Sequence, residues 1–327
     1  MSSGWTRVRA GIHVCRSRSS LLALGSSRHP VVWCPHRRDH IIEVTPMDFQ
    51  TEYSAWHVPD GLGEADALRR TTHMGIGAHQ DDLEIMAIDG ILACYDREDA
   101  WFAGVVVTDG SGAPRTGRFA DISNDEMARV RIVEQNRAAD IGKFGSQALM
   151  GYPTKAVTQG DDSRVTEDIV RLLTASKPEV VYTHNPLDKH DAHVGVMLKT
   201  IEAIRQMPKK ERPKNVYGCE VWRDLDWVVG DGKHIFDCSE KEALQLELLQ
   251  AFESQIEGKR YDLAAMGRRR ANATYLEPHE VDNTTGAVYA VDLTPLIQDD
   301  SLDVEVFTLD YVDKLAQDVR ERFNRLK

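Results

Sequence analysis

Two short stretches carry residue types and spacings suited to chemistry. The first is Met74-Gly-Ile-Gly-Ala-His79-Gln-Asp81-Asp82-Leu-Glu84. An apolar run with two glycines ends in His, Asp, Asp and Glu, the pattern of a buried strand opening onto a polar site. In open α/β sheets, sites form at the carboxyl ends of strands. His79 and Asp82 are three residues apart, a spacing that lets both bind one metal ion. Asp81, between them, is free to act as a general base toward an activated water. The second stretch is Thr183-His184-Asn-Pro-Leu-Asp188-Lys-His190-Asp191-Ala-His193, which follows the apolar run Val180-Val181-Tyr182. Two distant strand ends that both carry His and Asp are hard to explain by packing. A catalytic zinc takes three protein ligands and keeps one position open. His79, Asp82 and one histidine of the second stretch supply that set, and spacing leaves His184, His190 and His193 all open as the third.

These residues resemble a known family. The first stretch is similar to the AHPDD-x-E signature of the PIG-L (LmbE-like) zinc deacetylases, and the second to that family's H-P-D-H signature. The resemblance runs in order from about Thr72 to about Gln255. It includes Thr108-Asp109-Gly110, a helix with Arg131 and Glu134, and a late Ser254-Gln255. Gln80 stands where the family has Pro. His190-Asp191-Ala192-His193 replaces His-Pro-Asp-His, so the acid directly before the last histidine is missing, and Asp188 or Asp191 is left to support the ligand. The resemblance implies hydrolysis of the acetamide of an N-acetylglucosaminyl-type sugar. It implies His193 as the third ligand, His190 as an acid facing the developing oxyanion in its protonated form, and Arg131 as a grip on the sugar or its acyl group. Zn2+ is the expected cofactor; Fe2+ and Co2+ also suit His and Asp donors. Asp109, at a second strand end, is a candidate substrate contact, with Asp-Gly as a simple turn the competing reading.

The elements that must position these residues can be read from periodicity. Strands are expected at His73–Ala78, Trp101–Thr108, Glu179–Thr183 and Val216–Trp222, with later ones at Ala287–Leu293 and Val304–Phe307. Helices are expected from Leu83 to Tyr95 and from a Ser123–Glu126 capping box to Phe144. Others start at Asp162 or Ser163 and at His193, and one runs from a Ser239–Glu242 cap to Ile256. In the Ser123 helix the inward stripe reads as Met127, Val130, Val133, Ile141 and Phe144, with Arg131 off it. Asp310–Leu326 reads as an exposed amphipathic helix, and Arg268-Arg-Arg270 as solvated surface or a substrate contact. Alternating strands and helices indicate an α/β fold, a Rossmann-like three-layer sandwich with a mostly parallel sheet and a C-terminal extension. The expected division is a leader over 1–46, a wrapping segment over 47–71, the catalytic core over 72–258 and an extension over 259–327 packed on the same domain.

Composition bounds the function. The chain of 327 residues has 42% hydrophobic and 28% charged residues, as in an ordinary soluble protein. No apolar run reaches the roughly 18 residues of a membrane span. The net charge of −12 argues against nucleic acid and anionic membrane as partners. A small N-acetylated molecule is the expected partner, with self-association left open. Five scattered cysteines without a C-x-x-C pair suit a reducing compartment, hence a cytoplasmic location. Residues 1–46 differ: seven arginines against two acids give +5, leaving −17 on the rest. The abrupt shift at Met47 favours a start there, over a mitochondrial transit peptide or a disordered tail. Besides the deacetylase, an amidase on another N-acyl conjugate and a non-catalytic metal- or sugar-binding protein fit the residues. A dinucleotide-binding protein does not, because no G-x-G-x-x-G follows a strand.

Overall fold

The computed structural model describes residues 48–327 except 50, 160 and 161. All that follows concerns the unit Val44–Lys327, and the readings of residues 1–46 lie outside the described residues. In chain order the elements are β1 (Ala55–His57), α1 (Glu64–Arg69), β2 (His73–Gly77), α2 (Asp82–Met86), α3 (Ile88–Cys94), β3 (Phe102–Thr108), α4 (Asn124–Ile141), β4 (Ser146–Tyr152), α5 (Lys155–Thr158), α6 (Ser163–Ser176), β5 (Val180–His184) and α7 (Asp191–Gln206). Then come β6 (Asn215–Cys219), β7 (Lys233–Asp237), α8 (Glu242–Gln250), α9 (Glu253–Lys259), α10 (Tyr261–Thr274), β8 (Ala287–Asp292), α11 (Thr294–Gln298) and α12 (Val304–Leu326).

The strands form one sheet in the order β1-β4-β3-β2-β5-β6-β8-β7. The run β4-β3-β2-β5-β6 is parallel. Antiparallel β1 closes one edge, and antiparallel β8 and β7 extend the other. The chain steps outward from β2 through β3 to β4, then returns to lay β5 on the opposite side of β2. The order therefore reverses between β2 and β5, and a crevice opens at their carboxyl ends. Both polar stretches start there. Apolar clusters cover the two faces of the sheet. One joins Met74, Ile76 and Ala78 to Val165 and Ile169 of α6 and Val196 of α7. The other joins Leu83, Ile88, Phe102 and Val106 to Ala138 and Leu248.

The two glycines of β2 face the second cluster. A Cβ on Gly75 would lie 2.8 Å from Phe102 and 2.9 Å from Leu83, and one on Gly77 would lie 3.2 Å from Asp82. Their absence lets α2 settle directly on the strand and holds Asp82 over its end.

Several elements depart from the sequence-based expectation. The helix expected from Leu83 to Tyr95 is two, broken at Ala87. The Ser123–Glu126 capping box forms, but α4 ends at Ile141, before Phe144. Its buried face is Met127, Ala128, Arg131, Glu134, Gln135, Ala138 and Ala139; Val133 is 67% exposed and Arg131 only 2%. The Ser239 cap does not form. The helix there starts at Glu242, with Ser239 held by Asp237, and breaks at Ala251–Phe252. Val304–Phe307, expected as a strand, is the first turn of α12. The extension after residue 258 is woven into the sheet, since β8 lies between β6 and β7.

Candidate metal centre and active site

The end of β2 is clamped from both sides. The Thr108 N–H donates to the Ala78 carbonyl at 2.9 Å, and the Ala78 N–H donates to His184 Nε2 at 2.9 Å. The chain then turns through Asp81, which has φ of 92°, a left-handed conformation costly for a residue with a Cβ. The turn brings the Asp82 carboxylate back to accept the His79 N–H at 2.7 Å. Arg131 fixes it from α4, its guanidinium donating to the Gln80 carbonyl and, at 3.3 Å, to Asp81 Oδ1.

Donor atoms of three residues converge at this point. His79 Nδ1 lies 3.3 Å from Asp82 Oδ2 and 3.3 Å from His193 Nε2. His193 Nε2 lies 3.4 Å from Asp82 Oδ1. Ligand atoms about 2.1 Å from a tetrahedrally bound zinc are separated by about 3.4 Å, and each of these separations is close to that value, the two to Asp82 running to different carboxylate oxygens. The histidines of the second cluster differ in their bonding, and His184, Asp188 and His193 form a second group of donors close enough to share an ion. His184 Nε2 already accepts the Ala78 N–H, which occupies its lone pair. His193 donates through Nδ1 to Asp188 Oδ2 at 3.2 Å, leaving Nε2 as the free lone pair facing His79 and Asp82. Asp188 is itself fixed by the backbone N–H groups of Lys189 at 2.6 Å and Trp222 at 3.2 Å. It therefore stands in the orienting role that the missing acid at Ala192 leaves vacant. Asp191 makes no comparable bond to His193 among the described residues.

Charge follows the same geometry. Burial alone would raise Asp82, yet His193 and then His184 hold its carboxyl well below the usual range. Burial would lower His193, but Asp82 and Asp188 raise it. Asp81 is the opposite case: burial pushes it up to about 6, against the pull of Arg131. Two adjacent carboxylates thus have different roles open to them, one held ionised for coordination and one able to take up and release a proton. His184 is driven down to about 4, by burial first and then by His193. His190 is lowered by burial, then by His193 and His79. Its ring stacks on His193 with centroids 4.6 Å apart, and its buried Nδ1 has no protein partner.

A cavity of about 610 Å³ opens over this cluster; His79, Asp81, Asp82, Arg131 and His190 line its floor. One part of its wall comes from Gly110, Gly112, Ala113, Pro114 and Thr154, and the other from residues after β6, including Trp222, Lys259, Tyr261 and Arg268. Lys259 sits over the Trp222 ring at 4.7 Å, and Arg268 donates to the Val221 carbonyl.

Of the residues singled out from sequence, His79, Asp81, Asp82, His190, His193 and Arg131 are together. Asp109 is not among the residues lining the cavity. Its carboxylate accepts the Ser111 N–H at 2.9 Å within its own turn, and Gly110 lines the cavity in its place. Arg131 is pinned by Glu134 at 3.8 Å, and Glu134 accepts Ser254 N–H and Oγ–H, both at 2.7 Å. Arg269, read as surface, is buried and donates to the Glu84 carbonyl at 2.6 Å. Trp222 and Tyr261 carried no chemical signal in the sequence; they matter only because the fold brings them over the site.

Residues 74–204 match the PIG-L family model, described as GlcNAc-PI de-N-acetylase. The uncharacterized deacetylase YaiS of Escherichia coli K12 is 28% identical over 148 residues, which are 44% of this chain and 74% of that protein. Among solved structures, N,N'-diacetylchitobiose deacetylase of Pyrococcus horikoshii is similar with a TM-score of 0.56. It is 16% identical and matches over 72% of this chain and 88% of its own. The 4-carboxy-2-hydroxymuconate hydratase GalB of Pseudomonas putida KT2440 is similar with a TM-score of 0.52. It is 14% identical, over 68% of this chain and 96% of its own. A deacetylase and a hydratase thus share this fold, and fold alone does not assign the reaction.

Proposed function

We propose, from the membership of residues 74–204 in the PIG-L family, that this chain is a metal-dependent deacetylase acting on an N-acetylated sugar or glycoside and releasing acetate and the free amine. The observation that carries the proposal is the triangle of His79, Asp82 and His193 donors beside a protonatable Asp81, on the floor of one cavity. The three residues would hold a divalent ion; their donor set suits zinc, and also Fe2+ or Co2+. Such an ion supplies Lewis acidity, which acidifies water and polarises an acyl oxygen.

The rest falls to the chain's own side chains. Asp81 removes the proton from the attacking water as the new C–O bond forms at the amide carbon. It returns that proton to the nitrogen as the C–N bond breaks, so the amine leaves neutral. Arg131 holds the Asp81 turn and keeps the carboxyl within reach of the ionised state. The His190 imidazole faces the same space and donates a hydrogen bond to the oxygen that gains negative charge. Asp188 keeps the His193 ring oriented.

The wall supports a finer statement about substrate. Lys259 and Arg268 make no ion pair among the described residues, in a chain whose net charge is −12. Beside the Trp222 and Tyr261 rings they suit a sugar conjugate with an anionic group beyond its acylated ring. The experiment is an acetate-release screen of metal-loaded protein on N-acetyl sugars and glycosides, with and without chelator, and with Asp81→Asn. Release that stops on chelation and in the variant is the expected result. No release from any sugar, with tightly held metal, would overturn the reading in favour of a binding protein; release from non-sugar N-acyl conjugates alone would replace the sugar by another amide.

A further inference from the structure

The longest helix, α12, has two faces of different character. Val304, Phe307 and Tyr311 pack on the main core, and Tyr311 is the helix's one buried residue. Further along the same side, Tyr311, Lys314 and Asp318 face Val229, Asp231 and Asp292 across a cleft. The opposite side carries Leu309, Val312, Ala316, Val319, Phe323 and Leu326. Their spacing alternates three and four residues without a break, the heptad a/d pattern by which a helix presents a seam to another helix. This seam faces solvent: Leu309 is 50% exposed, Phe323 59% and Leu326 78%. An apolar line about 26 Å long, at 1.5 Å per residue, is thus left uncovered on a helix that the core already holds in place.

Charge indicates the occupant and its direction. The first half, Val304–Leu315, carries Glu305, Asp310, Asp313 and Lys314; the second, Ala316–Lys327, carries Asp318, Glu321, Arg320, Arg322, Arg325 and Lys327. One half is net acidic and the other net basic, so two copies of this helix complement each other only when antiparallel. Within the helix, Asp310 pairs with Lys314 and Asp318 with Arg322. Asp313 and Arg320, which flank the seam at e positions, make no ion pair among the described residues. Antiparallel pairing, with Ala316 layered on Val319 of the other copy, sets each Asp313 across from an Arg320. Parallel pairing would instead bring Arg322 against Lys327.

We infer that α12 docks antiparallel on α12 of a second copy of this chain, forming a two-fold symmetric dimer through the Leu309–Leu326 seam. The inference stands apart from the catalytic reading. The test is the dissociation constant of the full chain by sedimentation equilibrium, for the wild type, Val319→Glu, Asp313→Arg, Arg320→Glu and the double variant. The wild type is expected to be a dimer, and Val319→Glu a monomer. Each single charge reversal should raise the dissociation constant roughly tenfold, and the double reversal should restore it to within about threefold. Far-ultraviolet circular dichroism, expected to match the wild type, shows that each variant is folded. A monomeric wild type, an oligomer that Val319→Glu leaves unchanged, or a folded double variant no tighter than either single would each overturn the inference.

Discussion

The floor and the wall of the cavity come from different parts of the chain and are held differently. Apart from Arg131 on α4, the floor residues hang from the ends of β2 and β5, the strands between which the order reverses. Asp81, Asp82 and Arg131 are buried, His79 and His190 partly so, and the site is tied by the Ala78–His184, His79–Asp82 and His193–Asp188 bonds. The aromatic and cationic residues of the wall lie after residue 219, outside the stretch that matches the family. They are rings and long cations that keep part of their surface free. A floor fixed this tightly suits one kind of bond chemistry, whereas a wall of this type can vary in what it admits. Substitutions on the floor should therefore act on turnover and metal, and substitutions on the wall on substrate affinity.

Asp81→Asn is the sharpest way to test that division. It removes the proton acceptor and leaves the three donor residues in place. Turnover should fall roughly 10²- to 10⁴-fold, the range of general acid–base catalysis, with bound metal per chain unchanged. Acetate release together with metal analysis reads both. Loss of metal in step with activity would instead make Asp81 part of the coordination. Next in size is Asp188→Asn. The amide can no longer hold the His193 ring as an anion does, and metal affinity or activity should fall about 10- to 100-fold. The same change at Asp191 should do far less. Equal losses at the two positions would undo the assignment of Asp188 as the orienting acid.

On the wall, Arg268→Ala should raise KM roughly tenfold for an anionic glycoside, as expected for a lost hydrogen bond to a charged group. It should leave kcat nearly unchanged and have little effect on a neutral N-acetyl sugar. Adding salt should weaken the wild type toward the variant, because exposed charges are screened. A fall in kcat on both substrates would place Arg268 with the floor, and the distinction between the two regions would fail.

The floor was more legible in the sequence than the wall, and the cause is physical. His79, Asp82 and His193 must end buried strands or open a helix, so each stands beside an apolar run that announces it. Which histidine keeps a free lone pair beside His79 and Asp82 was not legible, because it depends on the Ala78 N–H occupying His184, a contact 106 residues apart in the chain. Trp222 and Tyr261 look like any packing aromatics until the fold sets them over the site. Asp109 had the position of a site residue, but its own turn uses its carboxylate. The C-terminal helix was legible as amphipathic, yet its first turn resembled a strand because Val304, Val306 and Phe307 crowd together there.

Helix α4 gives the last contrast within one element. Apolar periodicity places Val133 inside and Arg131 outside, and the structure has them reversed. The middle of the buried face, Arg131, Glu134 and Gln135, is polar because it looks toward the Asp81 turn and Ser254. The positions should therefore answer in the inverse order to their hydrophobicity. Arg131→Leu leaves Asp81 and Glu134 without their buried cation and should cost about 3–5 kcal/mol, the penalty for breaking a buried ion pair from one side. Val133→Lys touches only solvent and should change stability by less than about 0.5 kcal/mol. Chemical denaturation of both variants measures the pair. If Val133→Lys proved the more damaging, α4 would have to be rotated about its axis, and the guanidinium would no longer hold the turn that carries Asp81.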